Sequence, residues 1–522
     1  MLIRNIGFFL FLCLQSSSII AQDNYLIFFK DKGSLKNYPT ERLLSDYTLE
    51  NRNKQGIGVD HFDLPLKVDY LRNLTLQGLL VKSTSKWLNA AMVSSTQDLT
   101  VLLREDASIS KIQALRKRDM RMADPMLNLD YSDYGMNAAV AEKFNLKHFH
   151  DEGFRGEGVR LAILDVGFGN LDGLSVFAHL FDGEQILDTY DFIEDTTAVY
   201  ESGNHGTMVS SYILTDSVDL YKGFAPDVDV MFYATDDYYT ETAEDEYNFV
   251  RALERADSIG VDIVSASLGY SVFDDIEDTY DFSDMDGYTS ISTIGCNIAA
   301  NKGILIVTSA GNSGTITAPS DAFGIISVGG SKMNKYYDQI SSRGNTYDGR
   351  TCPLVSGITK NVFAINGGSN NPYEMSYGGT SSATPQVAGF AACLKQKHPE
   401  ATKDQLLNAI KNSGHLAPSP NDSIGYGVPN AIIADSLLTL YVGVSEYEAS
   451  IIDIYPNPSK GLVYFSKEMN SVSLISLTGK TIQLALLADQ KSVDVSKFPM
   501  GMYILKLMDE QGEVFIHELI VK

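Results

Sequence analysis

Apolar residues change their spacing along the chain, and the changes divide it into regions. Between about 136 and 441, short apolar runs alternate with segments whose apolar residues recur every three or four positions. The runs are VRLAIL, VDVMFYA, VDIVSASL, GILIVTSA and GIISVGG. The helical spacing is clearest in 244–258, where Phe249 and Leu253 share one face. Alternation of this kind predicts an α/β fold, with a mostly parallel sheet and helices on both faces.

Residues 22–135, which precede this region, have a shorter and mixed pattern. A strand-like YLIFF opens the segment, a helical run covers Lys67–Leu74, and the strand-like pieces GLLVKS and WLNAAMVS follow before LTVLL. This order predicts a small α+β unit. The segment closes with basic residues at Lys111, Arg116, Lys117, Arg118 and Arg121.

The C-terminal region has a third pattern. Residues 442–450 have the composition of a linker, and residues 451–522 contain short strand-like pieces separated by turns, among them YPNPSKG, LVYFS and SVSLISLTGK. The histidine of this segment is His517, and no His, Asp and Ser cluster accompanies it. The pattern predicts a small all-β, sandwich-like domain that does not carry the catalytic chemistry.

The first 21 residues have the pattern of a secretory signal peptide. Arg4 precedes an apolar run over 6–14, a polar Gln-Ser-Ser-Ser stretch follows, and the predicted cut comes after Ala21. The run is too short to span a bilayer, and the bulky residues before Cys13 argue against a lipid anchor. No later segment approaches roughly 18 continuous apolar residues, so we expect an exported chain without a stable membrane anchor.

Composition narrows the classes of function. The 522 residues are 44% hydrophobic and 20% charged with a net charge of −25, which fits a folded protein rather than a disordered one. The acidic balance argues against nucleic-acid binding, which needs clustered Lys and Arg. Once Cys13 has left with the signal, the remaining Cys296, Cys352 and Cys393 are odd in number, so no disulfide framework is implied. None of them lies in a CxxC pattern or beside a metal-type histidine.

Candidate catalytic groups lie where predicted strands end, because parallel sheets bind ligands at the carboxyl ends of their strands. Three such ends carry suitable residues, namely Asp165, Ser267-Leu268-Gly269 and Ser309-Ala310-Gly311-Asn312. An aspartate that precedes a glycine, as in Asp165-Val166-Gly167, is also common turn chemistry. Asp165 alone is therefore weak evidence for catalysis.

Two further motifs carry nucleophilic chemistry. His205 opens a His-Gly-Thr sequence, and Ser381 stands in Gly-Gly-Thr-Ser-Ser-Ala-Thr-Pro at a predicted helix N-terminus, with Pro385 in the first turn. The free amides and the dipole of such a terminus favour developing negative charge. A surface histidine and a helix-capping serine are the simpler explanations. Capping explains the serine but not the glycine entry together with the small residues of the helix that follows.

In their order along the chain, these motifs resemble the subtilisin-like serine proteases, or subtilases. Asp-x-Gly, His-Gly-Thr, Ser-Leu-Gly, Ala-Gly-Asn-x-Gly and Gly-Thr-Ser-x-Ala-Thr-Pro-x-Val-Ala-Gly follow one another within about 155–441. The resemblance implies a subtilisin-like fold and a secreted serine endopeptidase made as a precursor, which hydrolyses peptide bonds through an acyl-enzyme. Its partners would be protein or peptide substrates.

The resemblance also implies a role for each candidate residue. Ser381 would be the nucleophile, His205 the general base that activates it, and Asp165 the carboxylate that orients the imidazole. Asn312 would stabilise the oxyanion. The walls that bind substrate would be Ser267, Leu268 and Gly269 on one side and Ser309, Ala310 and Gly311 on the other.

Two positions depart from the family pattern. Val166 replaces the small hydroxyl residue that usually follows the aspartate, which removes a hydrogen bond beside the triad. Tyr270 stands where a glycine is common after Ser-Leu-Gly, so we expect a narrower or occluded pocket.

An acidic run, DDYYTETAEDE, covers Asp236–Glu246 near the expected cleft. We expect a solvated loop and an acid-rich helix start here, with a preference for basic substrates or a calcium site as the alternatives. No cofactor is required by the predicted chemistry, and no ligand spacing predicts a metal site. The family resemblance nevertheless allows calcium as a structural ion.

The resemblance to subtilases also suggests functions for the two units that flank the central region. The 22–135 unit is similar to subtilase propeptides, with an accessory domain as the alternative. Residues 451–522 resemble the sorting domains of the type IX secretion system of Bacteroidetes, through Tyr455-Pro456-Asn457-Pro458 and the closing Ile520-Val521-Lys522. That resemblance implies contact with the secretion machinery and export through the periplasm and outer membrane to the surface or medium. A carbohydrate-binding or adhesion module is the alternative.

Two rival functions remain for the central region. One is a catalytically weak or inactive subtilase fold that serves as a surface binding protein, although the four candidate catalytic residues are all present. The other is an esterase with the order Ser, Asp, His and a Gly-x-Ser-x-Gly motif. The chain has neither of these esterase features.

Overall fold

The computed structural model describes most of the chain in two compact units, Met1–Val442 and Gly443–Lys522. The described residues are 23–33, 35, 38, 43–103, 106–115, 134–201, 203–217, 220–368, 373–376, 378–443, 454–456, 459–476, 481–499, 501–509 and 514–521. The predicted signal peptide, most of the basic run around 116–121 and the core of the predicted linker lie outside these residues.

The first unit begins with a small α+β region. Its strands are β1 (Asp23–Phe29), β2 (Leu80–Ser85), β3 (Ala90–Ser95) and β4 (Ile109–Leu115). Its helices are α1 (Asp46–Lys54), α2 (Val68–Leu76) and α3 (Leu99–Leu102). The strands form an antiparallel sheet in the order β2-β3-β1-β4. The helix predicted over Lys67–Leu74 is confirmed as α2.

The larger region that follows alternates strands and helices as predicted. Its strands are β5 (Arg160–Asp165), β6 (Ile186–Asp191), β7 (Asp216–Ser217), β8 (Tyr221–Lys222), β9 (Asp229–Ala234), β10 (Ile263–Ala266), β11 (Leu305–Ser309), β12 (Ile326–Ser331), β13 (Val355–Ile358), β14 (Val362–Ile365) and β15 (Tyr373–Ser376). Its helices are α4 (Ala138–Phe144), α5 (Lys147–His150), α6 (Ala178–Asp182), α7 (His205–Leu214), α8 (Ala243–Ile259), α9 (Ile291–Asn301), α10 (Gly379–Lys397), α11 (Lys403–Asn412) and α12 (Ala431–Gly443). Short 3-10 helices lie at His61–Asp63, Leu171–Gly173, Ser175–Phe177 and Phe282–Asp284.

The central sheet has seven parallel strands in the order β13-β12-β11-β10-β5-β9-β6. Successive side chains of a strand point to opposite faces. Leu161 and Ile163 of β5 therefore pack in the core that contains α7 and α10, whereas Ala162 and Leu164 pack in the core that contains α8 and α9. Both faces are buried, which explains why the strands are continuous apolar runs in the sequence.

Helix α8 also packs against the N-terminal sheet. Leu26, Trp87 and Met92 of the α+β region are buried in the same core as Tyr247 and Leu253 of α8. Full burial of side chains of this size contributes roughly 1.5–3 kcal/mol each. The N-terminal region is thus packed against the larger region through apolar contacts rather than tethered to it.

Helix α1 adds polar contacts to this docking. Its side chains donate to the C-terminal end of α8 and to the residue before β10: Thr48 Oγ1 to the Asp257 carbonyl oxygen at 2.7 Å, and Tyr47 Oη to Asp262 Oδ2 at 2.7 Å. The sequence DYTLENRNK has almost no apolar stripe, so hydrophobic spacing did not predict this helix. Ser45 caps it by accepting from the Thr48 amide.

The second unit contains antiparallel strands. They are β16 (Ile454–Tyr455), β17 (Leu462–Phe465), β18 (Ser471–Ser476), β19 (Thr481–Leu484), β20 (Ser492–Asp494), β21 (Gly501–Met508) and β22 (Val514–Val521). Two sheets, in the orders β16-β17-β20 and β19-β18-β21-β22, share one core that includes Phe465, Leu474 and Leu505. The small all-β, sandwich-like domain predicted from the sequence is confirmed.

Candidate active site

The candidate site lies at the carboxyl ends of the central strands, where the sequence placed it. Asp165 is the last residue of β5 and is fully buried. Its Oδ1 accepts from His205 Nδ1 at 2.7 Å and from the Val166 amide at 2.9 Å. This geometry leaves the opposite ring nitrogen, Nε2, as the one that can exchange a proton with another group.

His205 begins α7 and is held there by close backbone packing. A Cβ atom on Gly206 would lie 2.3 Å from the Gly167 carbonyl oxygen, so only glycine fits beside the histidine. Burial by itself disfavours the charged imidazolium, but the negative charges of Asp165 and Asp236 outweigh it and raise the pKa of His205.

Within the described part of the chain, the second carboxylate oxygen of Asp165 has no hydrogen-bond partner. Asp165 Oδ2 is buried and unpaired among the residues that the structure describes. This agrees with the expectation that Val166 supplies no hydroxyl group beside the aspartate.

Ser381 lies in the first turn of α10, two residues after the pair Gly378-Gly379. Gly378 and Gly379 have φ of 47° and 49°, and a Cβ atom on Gly379 would lie 2.5 Å from Asn312 Oδ1. The tight entry therefore needs glycine both for its backbone conformation and for the approach of Asn312. The Ser381 hydroxyl donates to the Ser267 carbonyl oxygen at 3.3 Å.

Pro385 lies one turn deeper in α10 than the sequence predicted, since the helix begins at Gly379. A proline at this position cannot donate to the carbonyl group four residues earlier, which belongs to Ser381. The Ser267 hydroxyl donates to that carbonyl oxygen at 2.9 Å instead. Ser267 and Ser381 are thereby joined by two hydrogen bonds, which hold the end of β10 against the start of α10.

Asn312 is oriented by the same helix start. Its Oδ1 accepts from the Thr380 amide at 2.8 Å and from Thr380 Oγ1 at 3.1 Å. With the oxygen committed in this way, the amide group Nδ2 is the donor available to a bound group. The Thr380 hydroxyl also lies 3.2 Å from the Gly311 carbonyl oxygen, and so connects this segment to the wall that precedes Asn312.

A cavity of about 580 Å³ brings most of the predicted residues together. Its lining includes His205, Ser267, Leu268, Gly269, Ser309, Gly311, Asn312 and Ser381. Asp165 and Ala310 are fully buried and do not line the cavity. Asp165 contacts His205, and Ala310 lies between the lining residues Ser309 and Gly311 in the sequence. In the described residues, Ser381 and His205 share the cavity without a hydrogen bond between them, and the Ser381 hydroxyl is paired with Ser267.

Acidic and aromatic residues line one side of the same cavity. They are Asp236, Asp237, Tyr238, Tyr239, Glu241 and Asp274. Burial raises the pKa of Asp236 to about 7, although hydrogen bonds from Thr235 and Tyr270 oppose the shift. Asp236 lies two residues after the end of β9, so its place just beyond a parallel strand end was a signal that could have identified it.

The expectation of a solvated acidic run is wrong for three of its members. Asp236, Asp245 and Glu246 are buried. Asp245 accepts from the Thr242 amide in the capping box of α8, and Glu246 accepts from Ser292 Oγ at 2.7 Å. Asp245 therefore stabilises the start of α8, and Glu246 stabilises the contact of α8 with α9.

The described residues include no group of three or more His, Cys, Asp or Glu side chains that could hold a metal ion. Calcium binding stays an untested prediction. Among the same residues, no helix is both long and apolar enough to cross a membrane.

Tyr270 does not occupy the cavity. It is fully buried, its ring packs edge-on against Phe249, and its hydroxyl donates to Asp236 Oδ1 at 2.9 Å. The residue between the two walls is Thr317, which no sequence motif singled out.

Fold and site together define a parallel α/β enzyme of the serine-protease class. A model of the Subtilase family matches residues 156–427. The chain therefore belongs to the subtilase family, whose members are subtilisin-like serine endopeptidases.

The flanking units have family matches of their own. A Peptidase S8 propeptide domain of Bacteroidota matches residues 24–125, and a secretion system C-terminal sorting domain matches residues 453–522. Both interpretations from the sequence are confirmed over their alternatives. The C-terminal domain indicates export across the outer membrane to the surface or exterior. The exact cut positions and domain boundaries stay predictions.

Relatives agree with this assignment. The chain is 28% identical to Subtilisin Savinase of Lederbergia lenta over 286 residues, which are 54% of this chain and 92% of that protein. It is equally similar to an Alkaline protease of Alkalihalobacillus alcalophilus, of which the match spans 65%. The solved epidermin leader peptide processing serine protease of Staphylococcus aureus shares the fold, with a TM-score of 0.57 and 15% identity over 81% of this chain and all of that one.

Proposed function

We propose that the protein is a secreted serine endopeptidase that cleaves proteins through Asp165, His205 and Ser381. The observation that carries the proposal is the 2.7 Å bond between Asp165 and His205 in the cavity that also contains Ser381 and Asn312. The Asp165 carboxylate holds Nδ1 of the ring protonated, so that Nε2 can act as the base.

Acylation begins when the Ser381 hydroxyl leaves the Ser267 carbonyl group and gives its proton to His205 Nε2. Ser381 Oγ forms a bond to the peptide carbonyl carbon, and the negative oxygen accepts from Asn312 Nδ2 and the Ser381 amide. His205 then donates the proton to the leaving amine as the peptide C–N bond breaks. In the second half of the reaction, His205 takes a proton from a water molecule, whose oxygen forms a bond to the acyl carbon. His205 then returns the proton to Ser381 Oγ as the bond between that oxygen and the acyl carbon breaks.

The test is active-site labelling of the purified secreted form. A fluorophosphonate probe should label Ser381, and Ser381→Ala should remove both the labelling and casein hydrolysis. Ser382→Ala is the matched control, since this buried neighbour donates to the Gly379 carbonyl oxygen inside α10. Labelling that survives in Ser381→Ala would contradict the proposal, and a native protein that is neither labelled nor active would favour the surface binding protein.

A further inference from the structure

The slot beside the nucleophile is closed by a threonine. Two segments form the walls of this slot: Ser267–Gly269 at the end of β10 and Ser309–Gly311 at the end of β11. Ser381 is bonded to the first wall through Ser267, and Asn312 follows the second. In the proposed reaction, a substrate carbonyl group that lies between Ser381 and Asn312 therefore directs the side chain of its own residue into the slot between the walls.

Thr317 lies between the two walls. A Cβ atom on Gly269 would lie 2.4 Å from Thr317 Oγ1, and one on Gly311 would lie 2.8 Å from the same oxygen. The hydroxyl group thus touches both walls at their glycines. Any side chain larger than a few atoms that entered between these glycines would collide with it.

Hydrogen bonds keep Thr317 in this place. Its amide donates to the Ala310 carbonyl oxygen at 3.1 Å, and the next residue, Ala318, exchanges two backbone hydrogen bonds with Tyr270 at 2.7 and 3.0 Å. The segment is therefore attached to the ends of both walls. Because these backbone hydrogen bonds hold Thr317 and Ala318 in place, Thr317 cannot easily move away to admit a large side chain.

The Thr317 hydroxyl is also unsatisfied. The residue is 5% exposed and lines the cavity, yet Oγ1 has no hydrogen-bond partner in the part of the chain that the structure describes. A buried hydroxyl without a partner costs free energy. A small polar group that entered the slot could pair with it.

We propose that Thr317 restricts the residue on the acyl side of the cleaved bond to alanine, glycine or serine. This inference rests on the proposed function and names its substrate class. Serine gains a hydrogen bond to Thr317 Oγ1, whereas phenylalanine and leucine are too large for the slot.

The experiment compares peptide p-nitroanilides that differ in this residue, Suc-Ala-Ala-Pro-X-pNA with X as Ala, Ser, Leu or Phe, cleaved by the mature secreted enzyme. We expect kcat/KM for Ala to exceed that for Phe by about tenfold or more. Thr317→Gly should raise kcat/KM for Phe about tenfold and change that for Ala less than about threefold. Ser313→Gly, on the cavity rim, is the matched control and should keep the native order of substrates.

A second variant separates size from hydrogen bonding. Thr317→Val replaces the hydroxyl with a methyl group of similar volume, so the rejection of Phe should persist while the advantage of Ser over Ala is lost. Native enzyme that cleaves Phe as well as Ala, or Thr317→Gly with an unchanged Phe/Ala ratio, would overturn the inference. If the probe still labels Ser381 in that case, the proposed function stands; absence of both labelling and cleavage would overturn both.

Discussion

Asp236 adds a second negative charge, after that of Asp165, to the electrostatics of the candidate site. It is buried after β9, accepts from Thr235 and Tyr270, and raises the pKa of His205 through its charge. A second carboxylate near the histidine favours the imidazolium. In the proposed reaction His205 must be neutral to accept the serine proton, so the same charge should limit activity at low pH.

Replacing Asp236 by asparagine should therefore extend activity to lower pH. Without the negative charge, His205 loses its proton more readily, and the acid limb of the kcat/KM profile should move to lower pH. Because Asp236 carries its charge only around and above its pKa of about 7, the difference from the native enzyme should be greatest near pH 7 and should fade at lower pH, where Asp236 is neutral, and at higher pH, where His205 is neutral in both enzymes. The measurement is kcat/KM against pH with a peptide substrate.

The control for this prediction is Asp274→Asn. Asp274 lines the same cavity but is not among the charges that raise the pKa of His205. An acid limb that moves equally in both variants, or that stays in place in Asp236→Asn, would contradict the electrostatic coupling.

At the scale of elements, buried charges join the propeptide region to the rest of the first unit. Arg52 of α1 contacts Asp63 at 3.1 Å and Asp257 of α8 at 2.6 Å, and Lys302 after α9 contacts Asp63 at 2.8 Å. The four side chains are at most 3% exposed. Two cations and two anions alternate, so no buried charge is left alone.

Breaking this cluster should weaken the docking of the propeptide region. Asp257→Asn leaves the buried Arg52 with one charged partner, and loss of one member of a buried pair costs about 3–5 kcal/mol. We expect a clearly lower Tm for the full chain in a Ser381→Ala background, which prevents self-cleavage. Asp69→Asn is the control, because its pair with Arg72 is exposed. Equal Tm values for the two variants would show that the cluster does not hold the interface.

The same cluster predicts how docking depends on pH. Hydrogen bonds and charge from Arg52 and Lys302 outweigh the effect of burial and lower the pKa of Asp63 from 3.8 to about 2. A depressed carboxyl pKa adds stability above the unfolded value, and this stability is lost as the pH falls through the folded one. Docking through Asp63 should therefore persist at pH 5 and fail between about pH 4 and 2. Thermal unfolding at a series of pH values measures it, and loss already at pH 5 would contradict it.

At the scale of the whole molecule, catalysis and export belong to separate compact units. The described core of the sorting domain is formed by side chains such as Val463, Leu505 and Val521, whereas the cores around the central sheet contain side chains of the first unit. Each unit thus buries its own apolar residues.

Deletion of residues 444–522 should therefore prevent export across the outer membrane without preventing the first unit from folding. The truncated chain should keep the Tm of the first unit within about 2 °C and should still be labelled at Ser381, but it should remain in the periplasm of a host with a type IX secretion system. Cell fractionation and probe labelling check both parts. Export of the truncated chain to the medium would contradict the role assigned to the sorting domain.

The linear sequence was sufficient for the architecture and for most of the candidate site. The spacing of apolar residues predicted the parallel sheet because both of its faces are buried. Motif order pointed to Asp165, His205, Asn312 and Ser381 as candidates, because glycines that the local backbone requires, such as Gly206 and Gly379, lie close to two of them in the sequence. Helix α1 escaped prediction because polar contacts with α8 stabilise it rather than an apolar stripe.

Long-range packing settled the features that distinguish this site. Thr317 and Tyr270 are distant from the triad candidates in sequence, and only the folded chain shows that the threonine lies between the walls while the tyrosine turns toward Asp236. The burial of Asp236, and with it the raised pKa, likewise depends on elements brought together in space. Local patterns encode backbone conformation and the face that a residue presents, whereas pocket depth and charge coupling arise from distances between segments that no local pattern specifies.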